Sequence, residues 1–248
     1  MSFVTDWVGL IVQAVMFSFV GRMIDPSKLP VYGGSRATYM EFIAIGIAVG
    51  VFVQISLGQV AAGIRQEQLM GTLESVLMTP TAPATIQIGS VIYQLVYVPI
   101  RTALFLVLVA VSFGLSFQPS GILPAAALLI CFIPFVWGLG VASAAATLTY
   151  RRGSGAFGLG IGLLTLISGA YFPLQLLPHW LSSVAKLNPI AIALNGMRQA
   201  LLGGAGWSQV GVDILTLLPI SVCFLAFGIA AFRRAMRRER RRGTLGLY

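Results

Sequence analysis

The chain has 248 residues, 57% of them hydrophobic and only 9% charged, with a mean hydropathy of +0.90, a net charge of +9 and a pI near 10.3. An ordinary soluble domain carries about 25% charged residues, so this composition excludes a water-soluble globule and defines an integral membrane protein. Crossing about 30 Å of hydrocarbon takes about 20 mostly apolar residues in a helix. Runs of that length recur and nothing alternates as barrel strands do, so the expected fold is all-α with six transmembrane helices.

The first apolar run, 7–24, follows Met1 to Asp6, which carries no positive charge, and no clean small-residue cleavage site comes after it. It is expected to be retained as a span rather than removed as a signal peptide. The second span is expected over 39–62. After it comes the connector RQEQLMGTLESVLMTP, Arg65 to Pro80. Leu69, Leu73, Val76 and Leu77 share one helical stripe, and Glu67, Gly71 and Glu74 share another. That pattern predicts a short amphipathic helix on the membrane face, ended by Pro80 and Pro83 because proline lacks the N–H a helix interior needs. Spacing alone is equally satisfied by a surface helix whose charges merely keep a loop solvated.

The third span, 86–113, contains Arg101, the one basic residue deep inside a predicted span. A charge at mid-bilayer costs about 2.5–3.5 kcal/mol, so Arg101 is expected to face the bundle or a polar cavity. Glu41, near one end of the second span, is the carboxylate within reach. Pairing with it, capping of backbone carbonyls and contact with cargo all remain open. The fourth and fifth spans are expected over 124–149 and 156–172. The segment before the sixth, 212–232, is too polar and too punctuated to be another span. Pro178 and Pro189 suit first helical turns, Asn188 is a good cap, and Ile190, Leu194, Met197 and Leu201 fall on one face. Two short helices forming a re-entrant hairpin on the outer side are expected, with Trp180 and Trp207 at headgroup level. An ordinary interfacial hairpin with no role in transport meets the same pattern.

Lysine and arginine placement orients the chain. Seven arginines, from Arg233 to Arg242, directly follow the last span, in a basic tail over 233–248. They join Arg65, Arg151 and Arg152 on one side, against Arg22, Lys28, Arg36, Lys186 and Arg198 on the other. Both termini are therefore expected in the cytoplasm of a multi-pass protein of the cell membrane, and the 248 residues as one transmembrane domain. The net positive charge sits mainly beside a membrane helix, which points to anionic lipid as the partner and not to nucleic acid. Cys131 and Cys223 both lie in apolar runs, and the single His179 has no cysteine or carboxylate at ligand spacing, so neither a disulfide framework nor a metal site is expected.

Two motifs together resemble a known family. Glu67, Gly71, Thr72, Leu73, Glu74 and Pro80, in the order E-x-x-x-G-T-L-E-x-x-x-x-x-P after the second span, look like the membrane subunit of type 2 ATP-binding cassette transporters. Downstream, Phe172, Pro173, Leu177, Pro178, Trp180 and Leu181, then Asn188 and Pro189, then Arg198, Leu201 and Gly203, are similar to the F-P-x-x-x-L-P-x-W-L, N-P and R-x-x-L-x-G patterns of that family. The resemblance implies a permease subunit, homodimeric or heterodimeric, working with two copies of a separate cytoplasmic ATPase. It implies that the connector from Arg65 to Pro80 docks on that ATPase, that the outer hairpin caps the exit, and that transport runs outward. ATP and Mg would then belong to the partner, since this sequence has no G-x-x-x-x-G-K-[ST] loop. No cofactor and no catalytic residue is expected in the chain itself. Sparse charge within the spans suits lipid, drug or other amphipathic cargo.

Other function classes fit less well. A stand-alone secondary transporter or channel would show matched interrupted repeats or rings of filter residues, and no convincing internal repeat is present. An intramembrane hydrolase would need a base beside a nucleophile such as Ser154, yet His179 is expected on the opposite side of the membrane.

Overall fold

The computed structural model describes residues 29–69, 83–150 and 153–242, together with part of the stretch 9–21, which is helical. A two-stranded antiparallel ribbon comes first, β1 (Val31–Tyr32) against β2 (Ser35–Arg36). Its turn is Gly33–Gly34, both with positive φ (56° and 83°), which a tight two-residue hairpin requires and glycine supplies without steric cost.

Long helices follow: α1 (Tyr39–Leu69), α2 (Pro83–Phe113), α3 (Ile122–Tyr150) and the shorter α4 (Gly153–Ile167). Two short helices, α5 (His179–Lys186) and α6 (Pro189–Gly203), precede the long α7 (Trp207–Arg242). The second to sixth expected spans overlap α1, α2, α3, α4 and α7, with shifted ends. α1 runs on past 62 to Leu69, because no proline interrupts it and the single glycine of that extension, Gly63, is tolerated in a helix. Arg65 and Glu67 therefore continue the second expected span as one helix. The basic tail is likewise helical as far as Arg242, arginine being a good helix former.

The fifth expected span ends early. α4 stops at Ile167, and its 15 residues extend about 22 Å at 1.5 Å per residue. Gly169 follows in the left-handed region at φ 79°, and Pro173 lies just beyond, so 168–172 leave the helix as a bend.

Among the described residues, Pro119–Thr147 and Trp207–Arg238 are each long and apolar enough to cross a membrane. Tyr39–Gln54, Tyr97–Phe113 and Phe157–Ile167 are shorter apolar helical stretches. The exposed surface carries the same message. Ile100, Leu104, Val107 and Val111 recur at helical spacing along α2 and are all exposed, Val111 at 80%. A soluble monomer does not leave such a stripe in water. Some polar groups within the helices are satisfied locally: the Thr147 and Thr149 hydroxyls donate to the Ser143 and Ala145 carbonyls one turn back.

The chain clusters into two compact units. One joins Met1–Val51, Thr102–Leu129 and Leu164–Leu215, and the other Phe52–Arg101, Ile130–Leu163 and Thr216–Tyr248. Within the second, α3 and α7 pack Val141, Ala144 and Ala145 on Phe232, Ala235 and Met236. Phe135 meets Phe224 edge-on, with ring centroids 4.9 Å apart. A Cβ on Gly138 would collide with the Phe224 carbonyl, and one on Gly228 with the Gly138 carbonyl. The two backbones touch there because neither residue has a side chain, the small-residue contact by which apolar helices pack where water gives no drive.

Candidate functional site

The first unit is organised by the broken end of α4. A helix leaves its last carbonyls without intrahelical partners, and in apolar surroundings each must find a donor. The Leu164 carbonyl takes the Ser168 N–H at 3.0 Å and the Asn188 Nδ2 at 2.7 Å. The Ser168 hydroxyl donates to the Thr165 carbonyl at 2.6 Å. Three successive carbonyls of the bend then receive side chains from other helices: Arg198 Nη1 reaches Gly169 O at 3.0 Å, Arg198 Nη2 reaches Ala170 O at 3.2 Å, and the Tyr39 hydroxyl reaches Tyr171 O at 3.2 Å.

Arg198 is the hub. It is 1% exposed, and its Nε and Nη2 also donate to the Phe42 carbonyl of α1, at 3.3 and 3.0 Å. A carbonyl has two lone pairs, so the two guanidinium N–H groups share the capacity of Phe42 O that its helical bond leaves. The guanidinium carbon lies 3.5 Å from the Phe42 ring centroid, a cation–π stack in a desolvated setting. Gly46 provides the room: a Cβ there would strike the Ala170 carbonyl. Burial pushes the Arg198 pKa down to about 10, with Tyr32 and Tyr39 pulling it back up, so the group is charged at neutral pH. Burial in turn raises the Tyr32 phenol, against the pull of the adjacent Arg198 charge.

The geometry follows from sequence one step at a time. Asn188 caps α6 by accepting the Ile190 N–H on its side-chain oxygen at 3.0 Å, and Pro189 occupies the first helical position, as its missing N–H allows. The same Asn188 amide donates to α4, so one residue starts α6 and closes α4. Ile190, Leu194, Met197 and Leu201 are all buried, which fixes the rotation of α6 and carries Arg198 inward beside them. Gly204, at φ 64°, ends the helix in the left-handed conformation. Pro178 stands at the capping position before α5 rather than inside its first turn. Pro173 is buried in front of the 3₁₀ turn Leu174–Leu176, and Trp180 is exposed on α5.

The remaining sequence candidates are dispersed. Glu41 accepts the Thr38 N–H at 2.9 Å and the Ser116 hydroxyl at 3.3 Å. Arg101 is buried in α2 and falls in the other compact unit. Of the connector, Arg65 and Glu67 lie on α1, whereas Gly71, Thr72, Leu73, Glu74 and Pro80 fall outside the described residues. Arg198, counted on the outer side of the membrane and in the outer hairpin, is buried inside the protein, where the carbonyls at the α4 end require a donor. The acceptors of these bonds are backbone atoms, which leave no mark in sequence. The available signal was an arginine beside Met197, on the flank of an otherwise apolar helical face.

Long apolar helices and an exposed apolar surface define a helical membrane protein. The chain belongs to the ABC-2 type transporter family, whose membrane domain it matches over residues 1–202. It is also similar to the linearmycin resistance permease protein LnrN of Bacillus subtilis (strain 168), 25% identical over 82% of this chain and 51% of that protein. A second relative is ABC transporter G family member 20 of Dictyostelium discoideum, 23% identical over 81% of this chain and 28% of that protein. The chain thus spans about half the length of the first and little more than a quarter of the second.

Proposed function

We propose that the chain is the permease subunit of an ATP-driven exporter, with six spans, both termini in the cytoplasm of a cell-membrane protein, and α5–α6 as a re-entrant outer hairpin. The match to the ABC-2 type family over residues 1–202 carries this reading, since it includes the connector from Arg65 to Pro80. Two copies of a separate ATPase supply ATP and Mg, and a second permease subunit completes the path. Glu67 and Glu74 make polar contact with the ATPase, while Leu73, Val76 and Leu77 stiffen the connector. ATP supplies the energy, since a switch moves its equilibrium only by the difference in affinity for its two states. The word resistance in the name of the Bacillus subtilis relative supports outward movement, and the scarcity of charge in the helices supports amphipathic cargo. Arg101 and Glu41 are kept as intramembrane polar groups, to be tested by exchanging the two residues.

The deciding experiment is reconstitution with the ATPase in vesicles. Glu74→Ala and Gly71→Pro are expected to leave the helices folded but abolish cargo-stimulated ATP hydrolysis and transport, because a proline inside a helix costs about 3 kcal/mol or more. Normal transport in both variants would remove the coupling role. Cysteines placed at Ser154 and Gly204 should label from opposite sides of the membrane. Labelling of both from one side would refute the topology.

A further inference from the structure

Two helices of the first unit turn polar stripes toward one space. On α5, His179, Ser182 and Lys186 recur three and four residues apart, and on α6 Asn195 and Gln199 are separated by one turn. With Gln209 they border a cavity of about 920 Å³ that reaches Arg198. That size lies within the range of ligand pockets, about 300–1,000 Å³. The opposite face of α5 exposes Trp180 and Val184, and Leu187, just beyond its end, is 78% exposed. α5 is thus an amphipathic helix suited to lying at a membrane interface, with its polar side toward the cavity.

The charge on this cavity is one-sided. Arg198 makes four hydrogen bonds to main-chain carbonyls and meets the Tyr32 phenol, neutral dipoles that solvate the guanidinium without neutralising it. Lys186 adds a second cation at the rim, and among the described residues no aspartate or glutamate lines the space. Two cations in a concave, low-dielectric setting focus a positive potential. The Asn195, Gln199 and Gln209 amides add neutral donors, so the chemistry required is an anion bearing several oxygens. Lysine binds phosphate as a point charge. Pro30, Val31 and Leu177 give part of the wall an apolar character against which a chain attached to that anion would lie.

We propose that this cavity binds a phosphate ester, with Lys186 and the amides of α6 on the phosphate oxygens and Arg198 supplying charge from behind. A phospholipid headgroup and a water-soluble phosphate ester share this chemistry. The inference stands whether or not the connector couples to an ATPase.

The test is calorimetric titration of the purified full chain in nonionic detergent with two probes, dihexanoyl phosphatidylglycerol and glycerol 3-phosphate. At least one should bind, and Lys186→Gln and Gln199→Leu should each weaken it, the lysine change by about tenfold, the loss expected for one charge-assisted bond. Both positions are exposed, so both variants should unfold at the wild-type temperature. Binding of the lipid alone assigns the site to membrane headgroups, and binding of glycerol 3-phosphate assigns it to soluble esters. A control with Arg233, Arg234 and Arg237 changed to glutamine should keep the binding. Wild-type affinity in both cavity variants, no binding of either probe, or loss of binding only in the control would each overturn the proposal.

Discussion

The two compact units hold apolar helices together by opposite means. In the first, one guanidinium gathers the carbonyls of Phe42, Gly169 and Ala170, and cohesion is concentrated in a few polar atoms. In the second, α3 and α7 touch backbone to backbone at Gly138 and Gly228, and cohesion is spread over van der Waals area with no charge involved. A polar hub gives a large response to loss of one group and none to changes around it. A close-packed seam responds to added volume.

The hub should give the largest effect. Arg198→Leu leaves three buried carbonyls short of a donor, at about 1–3 kcal/mol for each group left unsatisfied. Loss of the monodisperse peak in detergent chromatography is the expected outcome. Arg198→Lys should recover part of the yield, because an ammonium donates but lacks the planar fork that serves several acceptors at once. Equal behaviour of the two variants would show that charge without the fork recovers nothing, and that the planar fork is what matters.

Adding a methyl to the seam should come next. Gly228→Ala forces α7 away from Gly138 and should lower stability by about 1–3 kcal/mol, the usual cost of overpacking, read as a lower thermal midpoint. An unchanged midpoint would mean that the seam opens freely. Asn188→Ala removes the α6 cap, worth about 1 kcal/mol, together with the second donor on the Leu164 carbonyl. Its midpoint should fall more than that of a change at a cap with one role. Smallest is Leu187→Ser on the outer stripe of α5. In detergent it should stay within about 0.5 kcal/mol of wild type, with any larger effect appearing only as weaker partition into vesicles.

Much of this architecture was legible in the sequence where the signal is carried by side chains. Asn188 with Pro189 marks a helix start, Gly203 and Gly204 mark its end, and the face from Ile190 to Leu201 marks its buried side. Apolar run lengths located the long helices to within a few residues at most ends. The ribbon at VYGGSR was not anticipated, since a two-residue strand is too short for any periodicity to frame it. The early end of α4 rests on Gly169 adopting positive φ, which a run of apolar residues on either side conceals. Arg198 was legible as part of a motif but not as a hub, since its acceptors are main-chain oxygens contributed from positions as far back as Phe42.

Those acceptors carry an implication for how the protein tolerates change. Every residue has a carbonyl, so the grip of Arg198 on the bend does not depend on which side chain follows Gly169. A change of side chain at Ala170 leaves that oxygen in place, although Ala170 is fully buried and tolerates only a residue of similar volume. What the bend cannot absorb is a change in length: one residue inserted or deleted between Ile167 and Pro173 would move the Gly169 and Ala170 oxygens out of register with the fork. The site is thus buffered against substitution and exposed to frame, and a scan of single-residue insertions across 166–174 would trace its limits more sharply than any scan of alanines.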